Sequence, residues 1–173
     1  MIWSLWVAVV IGACVLRVAQ LSQRPLHTDE AVHAQKLGDL LGPKGYEYDP
    51  NEYHGPTLNY FSLLLAKLRG QNSYVSLDEA TLRLIPVAFG LILAFLPVLL
   101  RKGLEHRAVY FMCAFCAFSP AFVYYSRYYI MEMLLVCFTF CFIVCVWRYL
   151  RNPGLFWATC AGLSAGLLHA TKE

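Results

Sequence analysis

Charge is what this chain has least of: only 14% of its 173 residues are Asp, Glu, Lys or Arg, against roughly 25% in a soluble domain. With 59% hydrophobic residues and a mean hydropathy of +0.52, that scarcity excludes an ordinary water-soluble fold. Basic tracts are missing too. The 14 Lys and Arg against 11 Asp and Glu leave a formal charge of +3, with no aromatic-interleaved basic patch, so no nucleic-acid partner is expected. There is no P-loop, dinucleotide fingerprint or glycosylation sequon. Cysteine is not scarce, at seven, but every one lies in an apolar run, which excludes a disulfide framework. Cys113 and Cys116 form a C-x-x-C, and Cys137, Cys141 and Cys145 recur at helical spacing. Neither set has a His or acid at ligand spacing, so all read as small packing residues.

What the chain has in abundance is apolar runs long enough to cross a bilayer, about 20 residues at 1.5 Å each. They occupy about 2–21, 82–100, 108–125, 129–147 and 154–170. The first lacks the basic flank and small-residue cleavage site of a secretory signal and reads as a retained anchor. The expected fold class is therefore all-α: a polytopic membrane bundle of about five transmembrane helices with no sheet. In the fifth run Gly154, Ala158, Gly162, Gly166 and Ala170 recur every four residues, a small-residue face that expects a partner helix.

Orientation follows from the short loops, since Lys and Arg are retained on the cytoplasmic side. "RKGLEHR" carries Arg101, Lys102 and Arg107, and "RYLRNP" carries Arg148 and Arg151, whereas the loop of about 22–81 has more acids than bases. A multi-pass cell-membrane protein with a cytoplasmic amino terminus and an extracytoplasmic first loop is expected. Alternation of the spans then brings Asp29, Arg127, Glu132 and Lys172 to one membrane surface.

The loop after Pro25 has its own helical periodicity. Thr28 can cap a helix whose first turn holds Asp29 and Glu30, with Ala31, Ala34, Leu37 and Leu41 as its apolar stripe. Pro56 can open a second helix carrying Leu58, Phe61, Leu65 and Leu68. Both are expected to be interfacial. They are joined by a Tyr-rich segment with Glu47, Asp49, Glu52 and His54, either a rim for a polar ligand or a solvated loop. The two acids at the first helix start also suit the helix dipole, worth about 0.3 to 1 kcal/mol. Glu132 is more diagnostic, because a charge at the centre of an apolar run costs about 2.5 to 3.5 kcal/mol on insertion. Arg127, among Tyr124, Tyr125, Tyr128 and Tyr129, reads either as a headgroup anchor or as a ligand-facing cation.

Taken together, "DEAVHA", "YHGPTLNYF", "SRYYIMEMLL" and "GLSAGLLHATKE" resemble the GT-C superfamily of polytopic glycosyltransferases, in the protein-mannosyltransferase and aminoarabinose-transferase-like branch. "EYHGP" is similar to a group of prokaryotic membrane proteins associated with flippase activity. The resemblance implies transfer of a sugar from a polyprenyl-phosphate-linked donor to an acceptor on the extracytoplasmic face, as in protein glycosylation. It also implies Asp29 as the catalytic carboxylate that takes the acceptor proton or binds a metal, with Glu132 as a second carboxylate able to share a divalent ion. Glu30, His54, Arg127, Glu132 and Lys172 become substrate-binding candidates, Arg127 and Lys172 for the departing phosphate. Membrane lipid is the implied surrounding partner.

The chain departs from the branch at Val32, where an arginine is common, and at His54-Gly55-Pro56, where Lys-Pro-Pro is common. Family members continue through further spans, so residues 1–173 are expected to form the amino-terminal part of a GT-C-like transmembrane domain that needs its remaining carboxyl-terminal spans, and alone to be inactive. Two other functions suit the same residues: a noncatalytic subunit assisting flipping or assembly of lipid-linked sugars, and a plain scaffold whose acids are helix caps.

Overall fold

The computed structural model describes residues 2–47 and 54–172; the expected ligand-rim residues Asp49 and Glu52 lie outside them. Among the described residues the regular structure is helical, with eight α-helices: α1 (Ile2–Val18), α2 (Thr28–Leu41), α3 (Thr57–Leu68), α4 (Glu79–Phe95), α5 (His106–Phe118), α6 (Pro120–Ser126), α7 (Glu132–Arg151) and α8 (Leu155–His169). The all-α membrane class read from the apolar runs is the one observed.

Local chemistry sets the helix ends. His27, not Thr28, caps α2: its ring accepts from the Asp29 N–H, and Glu30 returns to the His27 N–H in a reciprocal capping box. Asp78 caps α4 by accepting from the Thr81 N–H. Pro56 stands just before α3 rather than within it. α1 ends in a turn where Gln20 takes a left-handed conformation, φ 58°, which stops the helix and exposes its last carbonyls. α4 continues as a 3-10 turn over Leu96–Leu100.

The stretch expected as one span over 108–125 is two helices, bent by 54° at Ser119-Pro120. Pro120 cannot supply an N–H to α5, and the residue before it is driven out of helical conformation. The next span begins at Glu132 rather than Tyr129. Arg127 and Glu132 are therefore separated by a break and do not share a helix. Two helical stretches, Glu79–Leu100 and Glu132–Arg151, are long and apolar enough to cross a membrane, and the bent α5–α6 pair qualifies if taken as one. The first and fifth runs form shorter helices than expected; the 15 residues of α8 rise only about 22 Å.

α4 is the axis of the bundle, touching α1, α3, α5, α6 and α7, while α8 packs along α7. Three apolar clusters hold these contacts. Val9, Ala13, Ala94 and Ala117 join α1, α4 and α5; Leu93, Leu96, Met133 and Cys137 join α4 and α7. The third, Ala34, Leu37, Leu58, Leu82, Tyr129, Leu134 and Phe138, fastens α2 and α3 to α4 and α7. Outward from these, Val7, Ile11, Val15, Phe111, Phe115, Leu155 and Leu163 stay exposed, as suits a bundle solvated by lipid. At one end of the bundle Gly103 packs against Trp147 and Arg151, drawing the two basic loops together. The acid-rich segments gather at the other ends of the same helices.

Arg17 is fully buried where α1 meets the α5–α6 bend. Its guanidinium donates to the carbonyls of Ala13, Cys116 and Ala117 and to Ser126 Oγ. The carbonyls that Pro120 leaves unpaired thus find a donor inside the protein, as a lipid setting demands.

Candidate functional site

Glu30 is the hub of the acidic end. Its carboxylate is fully enclosed and accepts from Arg83 Nε at 2.8 Å and Nη2 at 2.9 Å, Arg24 Nη2 at 3.1 Å, and the backbone N–H groups of His27 at 3.0 Å and Tyr129 at 2.9 Å. Burial pushes its pKa up, but the Arg83 hydrogen bonds and the His27 and Tyr129 N–H groups outweigh it, and the net direction is down. Arg83 also donates to the carbonyls of Leu21, Arg24 and Pro25. Five donors thus occupy the unexposed carboxylate of Glu30, a residue expected to bind substrate, and it ties α2, α4 and the α6–α7 junction together.

Asp29, one residue earlier and so about 100° round the helix, points outward. Its side chain is 67% exposed, 3.6 Å from His27 Nδ1. His33, one turn on, is buried and faces inward, its ring 5.2 Å from that of His54 and 6.3 Å from that of Tyr129. Tyr129 is locked in turn by its hydroxyl donating to Ser62 at 2.9 Å.

His54 is held by backbone pairing with Lys172, the segment before α3 lying antiparallel to the residue that follows α8. The Gly55 N–H donates to the Thr171 carbonyl at 3.2 Å, and the Thr57 and Thr171 hydroxyls meet at 2.8 Å. Gly55 is required here because a Cβ would run into the Ala170 carbonyl. Thus the "HGPT" and "HATK" segments, distant in sequence, form one wall.

Asp29, Glu132, Lys36 and Lys172 all lie within electrostatic range of His54. Burial, then Lys36 and Lys172, lower the His54 pKa against the opposing pull of Glu132 and Asp29. Burial, then His54 and Lys36, bring His33 down to about 4. Both rings are therefore neutral near pH 7. Among the described residues two buried polar atoms in this group, His54 Nδ1 and Glu132 Oε2, lack a hydrogen-bond partner, and such atoms ordinarily find a partner in ligand or water. Among the described residues no three His, Cys, Asp or Glu side chains converge as a metal site would need. Asp29 and Glu132, expected to share a divalent ion, are joined by no third such side chain among the described residues.

Arg127 stands apart from this group. It donates to the carbonyls of Leu16 and Ala19 at 2.8 Å each, capping the end of α1, and lines a cavity of about 260 Å³ with Gln20, Leu21, Arg24, Arg83 and Tyr124. His33, Arg24 and Arg83 belong to this end of the bundle without a motif of their own. His33 carried a signal, its one-turn spacing from Asp29; the arginines carried none beyond their place at the edges of apolar runs.

No curated protein and no solved structure matches the chain. The sequence model of the dolichyl-phosphate-mannose-protein mannosyltransferase family matches residues 53–173, a stretch that contains His54, Arg127, Glu132 and Lys172 and leaves Asp29, Glu30 and His33 ahead of it. With more than half of its length matched, the chain belongs to the dolichyl-phosphate-mannose-protein mannosyltransferase family.

Proposed function

We propose that the chain serves transfer of a sugar from a polyprenyl-phosphate carrier to an acceptor at the extracytoplasmic membrane surface, with Asp29, His54, Glu132 and Lys172 at the reacting centre. The reading is supported by the backbone pairing of His54 with Lys172 and by the electrostatic influence of Asp29, Glu132 and Lys172 on His54, beside two buried polar atoms without partners among the described residues.

In this reading the exposed Asp29 carboxylate takes the proton of the acceptor hydroxyl or amine as its heteroatom bonds to the anomeric carbon. The bond from that carbon to the phosphate oxygen breaks, and the phosphate leaves with the electron pair. Lys172 stabilises the departing anion through charge-assisted hydrogen bonds. Glu132 steadies the positive charge that develops on the sugar ring. The neutral His54 ring offers Nδ1 as a hydrogen-bonding group toward the sugar hydroxyls. A donor whose tail lies in lipid meets these groups at interface depth, without a nucleotide-binding fold.

The test is Asp29→Asn in the full-length protein in native membranes, supplied with radiolabelled polyprenyl-phosphate mannose. Transfer is expected to fall by about 10²- to 10⁴-fold with thermal stability unchanged, since the side chain is exposed. Undiminished turnover would refute the assignment and favour a noncatalytic subunit.

A further inference from the structure

The cavity that Arg127 shares with Arg24 and Arg83 has no part in the chemistry just described. Three guanidinium groups line it, and among the described residues Glu30 is the one carboxylate paired with any of them. Arg127 is paired with no carboxylate among the described residues. Arg83 is spent on Glu30 and three carbonyls. Arg24 gives Glu30 one Nη and lies over the Tyr128 ring with its side chain 45% exposed. Arg127 bonds carbonyls, which accept hydrogen bonds without neutralising charge.

The surroundings fit an anion carried by a lipid. Tyr124 lines the cavity and stacks on Tyr128 at 5.7 Å, as in the aromatic belts found at headgroup depth. The adjoining last turns of α1 present Val15, Leu16 and Val18 outward, an apolar strip along which acyl chains can lie.

We propose that this cavity binds the phosphate group of an anionic phospholipid headgroup, gripped by Arg24 and Arg127 with Gln20 and Tyr124 at its rim, as a lipid site independent of sugar transfer. A phosphodiester offers two unesterified oxygens to two guanidinium forks, and the volume of about 260 Å³ admits a headgroup. Free inorganic phosphate presents the same chemistry without the tail.

The probe is phosphatidylglycerol, titrated against phosphatidylcholine with the full-length protein in neutral detergent and read by native mass spectrometry. One phosphatidylglycerol is expected to be retained in preference to phosphatidylcholine, and each of Arg24→Gln and Arg127→Gln is expected to weaken retention by about fivefold. Because Arg127 also caps α1, the half-exposed Arg24 keeps the test decisive if Arg127→Gln does not fold. Weaker binding by inorganic phosphate that nevertheless displaces the lipid supports the headgroup assignment. Phosphate binding as tightly as the lipid, equal retention of the two lipids, or unaltered retention in Arg24→Gln overturns it. Asp29→Asn is expected to keep phosphatidylglycerol while losing transfer, so either conclusion can fail without the other.

Discussion

Replacing Arg83 by Met should be among the most damaging single changes available, and its cost can be worked from the contacts. The substitution strips two charge-assisted donors from Glu30, at 2.8 and 2.9 Å, and leaves the carbonyls of Leu21, Arg24 and Pro25 short of a donor. Glu30 keeps Arg24 and the N–H groups of His27 and Tyr129, but the bonded Arg24 side chain is 45% exposed and compensates only in part. Breaking a buried ion pair from one side costs about 3 to 5 kcal/mol, because the remaining charge stays buried. At about 2 to 4 °C per kcal/mol for a chain of this size, the midpoint of thermal unfolding should fall by roughly 6 to 20 °C. The protein carries its own reporter: Cys113, Cys137 and Cys145 are free and buried, so a dye that fluoresces on thiol attachment follows unfolding in detergent. Adding Glu30→Gln to Arg83→Met removes the stranded charge and should recover part of the loss. A midpoint within about 2 °C of wild type for Arg83→Met alone, on a scale of 2 to 4 °C per kcal/mol, would refute the hub.

Acidification gives a second check. His33 titrates near 6.5 when solvated but only at about 4 in the fold, so between those values the unfolded chain binds a proton that the folded chain rejects. Its stabilising contribution is complete above about pH 6.5 and is lost as pH falls toward 4, by roughly 3 kcal/mol at most; His33→Asn should flatten the melting-against-pH curve over that window, and parallel curves would contradict the assigned burial. Gly55→Ala would push a methyl group into the Ala170 carbonyl, and an overpacked contact costs about 1 to 3 kcal/mol. Transfer should fall at least about tenfold, a shift of 1.4 kcal/mol in barrier, because the backbone that aligns His54 with Lys172 must move; full activity in this variant would separate that wall from the reacting centre.

The gross architecture was written in hydropathy, because a run of apolar side chains has one stable answer in lipid. α4 with its 3-10 extension and α7 fall within a few residues of the apolar runs, and α2 and α3 where helical periodicity puts them. The break at Ser119-Pro120 had a local signal in the proline, masked by apolar residues on both sides. Glu30 was harder. Adjacent acids at a helix start look alike in sequence, and which one turns inward depends on Arg83, 53 residues away. Arg17 had the same ambiguity: at the end of an apolar run a long cation reads as a headgroup anchor, and only the bend of α5 into α6 supplies the carbonyls that draw it inside. The pairing of His54 with Lys172 is set by chain crossing, for which local composition carries no code.

That crossing sets a timetable for synthesis. Thr57 and Thr171 are 114 residues apart, so at translation rates of about 5 to 20 residues per second the first hydroxyl waits about 6 to 23 seconds for the second to be made. Until α8 has been inserted, the Gly55 N–H and its neighbours must be kept hydrated or covered by another factor. A nascent chain stalled before Thr171 should accordingly leave the segment ahead of α3 open to proteases that the finished chain resists.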